Sequence, residues 1–139
     1  MSEENKVLEL ARSAMAKAYA PYSGYHVGAV IKGSNGKYYS GCNVENAAYP
    51  QGCCAEASAI SAMIMDGETS IAEITVMGKG GDTADTLISP CGGCRQRIRE
   101  FAALDAPIHL CSPEKRVRTV TLGELLPLSF GPQNLSAGE

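Results

Sequence analysis

Apolar residues recur at helical spacing near the start of the chain. Val7, Leu10, Ala11, Ala14 and Ala18 fall on one side of a helix expected over residues 2–20, which Pro21 ends. The period then shortens. Residues 25–32 and 37–42 read as two strands, joined through Gly33-Ser34-Asn35-Gly36, whose Asn-Gly pair is a strong hairpin signal. The polar stretch 43–53, with its Asn, Pro and Gly, is irregular. A helix follows from Cys54 to about Met65 and stops at Asp66-Gly67. Residues 73–78 form a strand and 79–86, rich in Gly and Asp, a loop. A helix led by Ser89 as N-cap and Pro90 at its first position runs to about Ala103. Two more strands, 108–111 and 117–122, precede a helical turn over 123–126, and the tail from Pro132 is expected to be loose. The order α-β-β-α-β-α-β-β implies a sheet covered by helices, an α/β layered architecture, in one domain over residues 1–139.

Composition narrows the function classes. The 139 residues are 45% hydrophobic and 19% charged, with a formal net charge of −3. An acidic balance argues against phosphate-backbone binding, which needs clustered basic residues; the densest basic run, Lys115-Arg116-Val117-Arg118, is short. The polar start, Met1-Ser2-Glu3-Glu4-Asn5-Lys6, lacks the apolar region of a signal peptide, and no apolar run is long enough to span a bilayer. The six cysteines therefore read as cytoplasmic thiols with a metal and not as a disulfide framework.

Two stretches carry the chemistry: Cys54-Ala55-Glu56 and Pro90-Cys91-Gly92-Gly93-Cys94-Arg95-Gln96. Cys91 and Cys94, three apart on a helix, share a face and can reach one ion, and the helix start favours the thiolate form. Cys54 supplies a third sulfur. Zinc in a catalytic site takes three protein ligands and keeps a fourth position for water. Glu56 lies two residues from Cys54, too far round a helix to share its ion, yet able to reach a water there. It reads as an acid/base. Zinc with three thiolates has a net charge of +2 − 3 = −1, so the water needs help to ionise, and Arg95 is a candidate donor to the thiolates or else a surface charge. A purely structural zinc would need a fourth protein ligand, with Cys53, His26 and His109 as candidates. Cys42 and Cys111, in expected strands, read as small core residues.

A metal ligand followed two residues on by Glu, with Pro-Cys-x-x-Cys later, is the pattern of zinc deaminases. Nearly the whole chain resembles the short, homotetrameric cytidine deaminases. Tyr22-Ser23-Gly24-Tyr25-His26-Val27-Gly28-Ala29, Asn43-Val44-Glu45-Asn46-Ala47-Ala48-Tyr49, the two metal stretches, and Glu124-Leu125-Leu126-Pro127 leading to Ser129-Phe130-Gly131-Pro132 stand in that family's order. The resemblance implies a three-layer α/β/α fold with a mixed five-stranded sheet, and hydrolysis of cytidine and 2'-deoxycytidine to the uridines in pyrimidine salvage. It implies one zinc per chain on Cys54, Cys91 and Cys94, and Glu56 carrying protons to N3 and to the departing amine. Asn43 and Glu45 match the ribose contacts, and Ala55 also falls at a substrate-contacting position. Tyr25 stands where the family usually packs a phenylalanine on the base. Phe130 matches an aromatic that helps complete a neighbouring subunit's site. The implied partners are a nucleoside and further copies of the chain, with no nucleic acid or membrane. Ala57 departs from the pattern, since many relatives carry there an arginine that hydrogen-bonds a zinc thiolate. A deaminase of another aminopyrimidine, such as blasticidin S, is the alternative; those relatives tend to lack the Asn-x-Glu-Asn stretch. A zinc-stabilised binding protein ranks third.

Overall fold

The computed structural model describes residues 2–79 and 87–135. The first helix, α1 (Glu3–Ala16), starts at Ser2, whose hydroxyl accepts from the Asn5 amide at 3.1 Å, and buries Val7, Leu8, Ala11 and Ala14. It ends four residues before the expected boundary. Beyond Lys17 the chain leaves the helix because Tyr19 pairs with the strand-like segment around Val44: Tyr19 N–H donates to Asn43 O, and Glu45 N–H to Tyr19 O.

The strands are β1 (His26–Gly33), β2 (Tyr38–Cys42), β3 (Ile71–Lys79), β4 (Pro107–Cys111) and β5 (Arg116–Thr121). The remaining helices are α2 (Ala55–Met65), α3 (Gly92–Phe101) and the single turn α4 (Leu122–Leu125). The sheet order is β2-β1-β3-β4-β5. All neighbours are antiparallel except β3 and β4, which are parallel and joined through α3. The Asn-Gly hairpin forms as expected, with Gly36 at φ 84°.

Alternation along the strands makes two cores. Ala29, Ile31, Ile74, Val76, Ile108 and Leu110 face α2 and α3, whereas Val30, Met77 and Cys111 face α1. The architecture is therefore three-layered, α1 on one face and α2 with α3 on the other. Two glycines let the layers close. A Cβ on Gly28 would lie 2.6 Å from Met15 N, and one on Gly41 would lie 2.6 Å from Ala55 O.

Two expectations need correction. Ser89 and Pro90 do not open α3: Cys91, extended at φ −65° and ψ 166°, is the N-cap. Arg95 is the reason, because its Nη2 donates to Ser89 Oγ at 3.0 Å and its Nε to Pro90 O at 2.7 Å, holding both residues outside the helix. The described part of the tail, to Leu135, is also more ordered than expected. Pro132–Asn134 form a 3-10 turn, with Asn134 Oδ1 accepting from Gly131 N–H at 2.8 Å. The expected loop over 79–86 lies, beyond Lys79, outside the described residues.

Candidate metal and catalytic site

The first turns of α2 and α3 meet at the site. Cys54 is the N-cap of α2, Cys91 the N-cap of α3, and Cys94, fully buried, the third residue of α3. Their three Sγ atoms lie within 4.8 Å of one another. Two sulfurs bound to one zinc at about 2.3 Å sit roughly 3.8 Å apart, so the cluster is close to ligating size. Among the described residues no fourth His, Cys, Asp or Glu joins it.

The candidates for a closing ligand are engaged elsewhere. The exposed Cys53 Sγ contacts Ser58 Oγ at 3.5 Å, and His26 Nδ1 lies 3.0 Å from Gly24 O. On the α1 side of the sheet, buried His109 bridges Thr119 Oγ1 at 2.8 Å and Glu73 Oε1 at 2.7 Å. Cys42 is half-buried and Cys111 buried, both as free thiols.

Electrostatics suit a cation. Burial pushes the Cys54 and Cys94 thiols up, and only Cys91 is lowered, chiefly by the backbone amide of Cys94. Glu56 is 5% exposed and burial raises its carboxyl above the ordinary range, although nearby Arg97 opposes the shift. Three sulfurs and a carboxyl thus share a place that disfavours negative charge. A dication offsets that and draws thiols into their thiolate form. Soft thiolate donors in this number fit zinc.

A cavity of about 420 Å³ opens onto the cluster. Cys54, Cys91 and Glu56 line it together with Tyr25, Asn43 and Ala55. The Asn43 amide is held at both ends by the start of β1 and the residue before it: Nδ2 donates to Tyr25 O, and Oδ1 accepts from Val27 N–H, each at 2.8 Å. One N–H and one oxygen lone pair remain for a ligand.

Two expected residues lie outside this cavity. Glu45 lines a neighbouring depression of about 270 Å³ with Tyr22, Ser23 and Tyr49. Its carboxylate accepts from the Tyr22 amide at 2.9 Å, the Ser23 amide at 3.1 Å and the Ser23 hydroxyl. Phe130 is 57% exposed on another part of the surface, where its carbonyl accepts from Gln96 Nε2 at 2.8 Å.

Arg95, a candidate thiolate donor from sequence, is a strap instead. Besides Ser89 and Pro90 it reaches Leu125 O at 2.9 Å, tying α4 to the start of α3. Leu87, Ile88 and Ser89 also line the cavity; the sequence reading passed over Leu87 and Ile88 and took Ser89 for a helix cap. The one signal was Leu-Ile ahead of Pro-Cys, an apolar pair with no strand or helix to explain it. Gly78 makes room for that lining: a Cβ there would overlap Ile88 Cδ1 and lie 3.2 Å from Tyr25 Cε1.

Comparison with known proteins agrees with this geometry. Residues 1–109 match the family model for the cytidine and deoxycytidylate deaminase zinc-binding region. The chain is 37% identical over 133 residues to a cytidine deaminase of Sporosarcina psychrophila, covering 94% of this chain and 93% of that one. It is 33% identical to a probable cytidine deaminase of Dictyostelium discoideum, covering 97% and 88%. The crystal structure of cytidine deaminase from Burkholderia pseudomallei superposes with a TM-score of 0.83 at 37% identity, covering 94% of this chain and all of that one. With the mixed sheet, the three convergent sulfurs and these matches together, the chain belongs to the cytidine and deoxycytidylate deaminase family.

Proposed function

We propose that the chain, as one catalytic domain over residues 1–139, hydrolyses cytidine and 2'-deoxycytidine to the corresponding uridine with release of ammonia. The carrying observation is one cavity lined by Cys54 and Cys91 of the sulfur cluster, the buried Glu56 and Asn43 together. Zinc on Cys54, Cys91 and Cys94 would supply Lewis-acid polarisation of the attacking water.

The remaining chemistry belongs to the chain. C4 of the pyrimidine accepts a nucleophile readily only when N3 is protonated, and the amine leaves only when it has gained a proton. One group beside C4 can serve both needs. Glu56, buried and lining the cavity, takes one proton of the water and gives it to N3, then takes the other from the hydroxyl now on C4 and gives it to the 4-amino nitrogen as the C–N bond breaks and C4 becomes a carbonyl. Water and cytidine go in; uridine and ammonia come out.

Tyr25 packs its ring on the base. Ala55, first residue of α2, offers a backbone N–H with no partner inside the helix to the 2-oxo group. Asn43 donates its free N–H to a ribose hydroxyl. Glu45 has about four acceptor positions, three of them used by Tyr22 and Ser23, and offers the last to the sugar.

We further propose a cytoplasmic homotetramer acting in pyrimidine salvage, with Phe130 completing a neighbouring chain's site. Six unpaired cysteines suit a reducing compartment, and the exposed Phe130 sits on a segment tied down by Arg99. Among the described residues no helix is long and apolar enough to cross a membrane.

The test is ammonia release from cytidine and from blasticidin S, with Glu56→Gln alongside and zinc measured in both proteins. Turnover of cytidine by the parent, and a variant that keeps zinc without activity, support the reading. Reaction of the antibiotic alone removes Asn43 and Glu45 from the sugar site. No reaction with one zinc bound per chain makes the metal structural.

A further inference from the structure

The proposed zinc site has a charge problem that its ligands do not solve. Zinc and three thiolates sum to −1, and an ionised Glu56 beside them makes −2, with Cys94 and Glu56 both buried. Cations near the cluster are therefore the first thing to look for. Arg95 is the nearest in sequence, but its guanidinium is spent on Pro90 O, Leu125 O and Ser89 Oγ. Position 57 holds Ala57, a methyl group.

Arg97 is different. Its Nη1 lies 3.8 Å from Cys94 Sγ, in N–H···S contact, although the residue's own Cα is a turn further along α3. Helix side chains lean toward the N-terminus, so a long residue at the sixth position of α3 naturally covers the third. Gly93 clears the path: a Cβ there would lie 3.1 Å from Arg97 Nη1 and 3.9 Å from Cys91 Sγ. The guanidinium therefore lies along the first turn of α3, against the Cys94 sulfur. It adds to the positive end of the helix at the same spot. Arg97 is an exposed residue that makes none of the ion pairs among the described residues, and the one carboxylate its charge acts on is Glu56 of the same site.

We propose that Arg97 is a positioning residue of the zinc site, supplying through Cys94 Sγ the positive charge that three thiolates lack. The inference rests on the zinc-deaminase reading above. Donors to metal-bound sulfur typically change metal affinity or activity by about 10–100-fold when removed. Because Arg97 is exposed and packs no core, replacing it leaves the fold in place.

The experiment compares the parent with Arg97→Gln and Arg97→Lys. Zinc affinity is read by chelator competition, and the thiolate-to-metal charge-transfer band is read after cobalt substitution, with far-UV circular dichroism as the fold control. Arg97→Gln should bind zinc about 10–100-fold more weakly. Its cobalt band should move to lower energy, because a sulfur that has lost a donor gives up its electrons more easily. Arg97→Lys, which keeps the charge, should recover most of the affinity. A Gln variant within about threefold of the parent, with an unmoved band, overturns the proposal. So does a Lys variant as weak as Gln, which removes charge as the cause. A parent protein that binds no zinc overturns the deaminase reading itself, an outcome distinct from both.

Discussion

Gly41 gives the sharpest test of how packing reaches the catalytic residues. It sits in β2 under the first turn of α2, where a Cβ would lie 2.6 Å from Ala55 O, 2.8 Å from Ser58 Cβ and closer still to Ala59 N. Two of those neighbours are backbone, which cannot rotate away. The oxygen contact must open by about 0.8 Å to reach the 3.4 Å at which van der Waals contact becomes ordinary. Gly41→Ala gains about 0.8 kcal/mol from a buried methyl and roughly 0.5–1 kcal/mol from the stiffer unfolded chain. Against this, backbone displacement costs typically 1–3 kcal/mol and occasionally more, and here a whole helix must move. Moving a helix puts the cost at the upper end of that range, about 3 kcal/mol, against a gain of about 1.3–1.8 kcal/mol, leaving a net loss of about 1–2 kcal/mol. For a chain of this size that lowers Tm by about 3–10 °C. Activity falls further than stability does. Cys54 and Glu56 ride on the moving end of α2, while Cys91 and Cys94 stay with α3 and Asn43 with its partners Tyr25 and Val27. A misplacement near 1 Å can cost about a hundredfold in rate. The assay is thermal unfolding together with deamination of cytidine at saturating substrate. A variant with parent Tm and a parent rate refutes the reasoning, because α2 would then have room that the Gly41 contacts deny.

Three further outcomes follow from the same contacts. Gly92→Ala, at the start of α3 with open space where the Cβ goes, should raise stability by up to about 1 kcal/mol in thermal or urea unfolding. Arg95→Ala removes hydrogen bonds to three partners and should cost about 1–3 kcal/mol, so urea unfolding should shift more than it does for Arg97→Gln. Burial raises the Cys111 thiol to about 11, and the unfolded chain gives up that proton first, near pH 9. The folded state then binds more protons, so stability falls as pH rises from 9 to 11, by at most about 3 kcal/mol. Cys111→Ala should flatten that slope in pH-dependent urea unfolding, and an unchanged slope would assign it to other groups.

What was legible in the sequence was whatever local chemistry decides. The Asn35-Gly36 turn requires a positive φ and could be read directly, as could the alternation that sends Ile108 and Leu110 to one face and His109 and Cys111 to the other. The three sulfurs were legible because ligand spacing follows from helix geometry, whatever residue caps the helix. Cys91 stands outside α3 and still meets Cys94. What escaped was decided by partners far along the chain. Ser89 has the right chemistry for an N-cap, and its hydroxyl is taken by a guanidinium six residues on. Helix α1 stops early because Tyr19 finds backbone partners near Val44. The two arginines of Cys94-Arg95-Gln96-Arg97 illustrate the limit. One residue from a ligand, Arg95 was the candidate thiolate donor, yet neighbours on a helix point some 100° apart. Arg97, three residues on, lies on the ligand's own face. The spacing argument that pairs Cys91 with Cys94 applies equally to Cys94 and Arg97, so the periodicity that exposes a metal ligand also identifies the cation that steadies it.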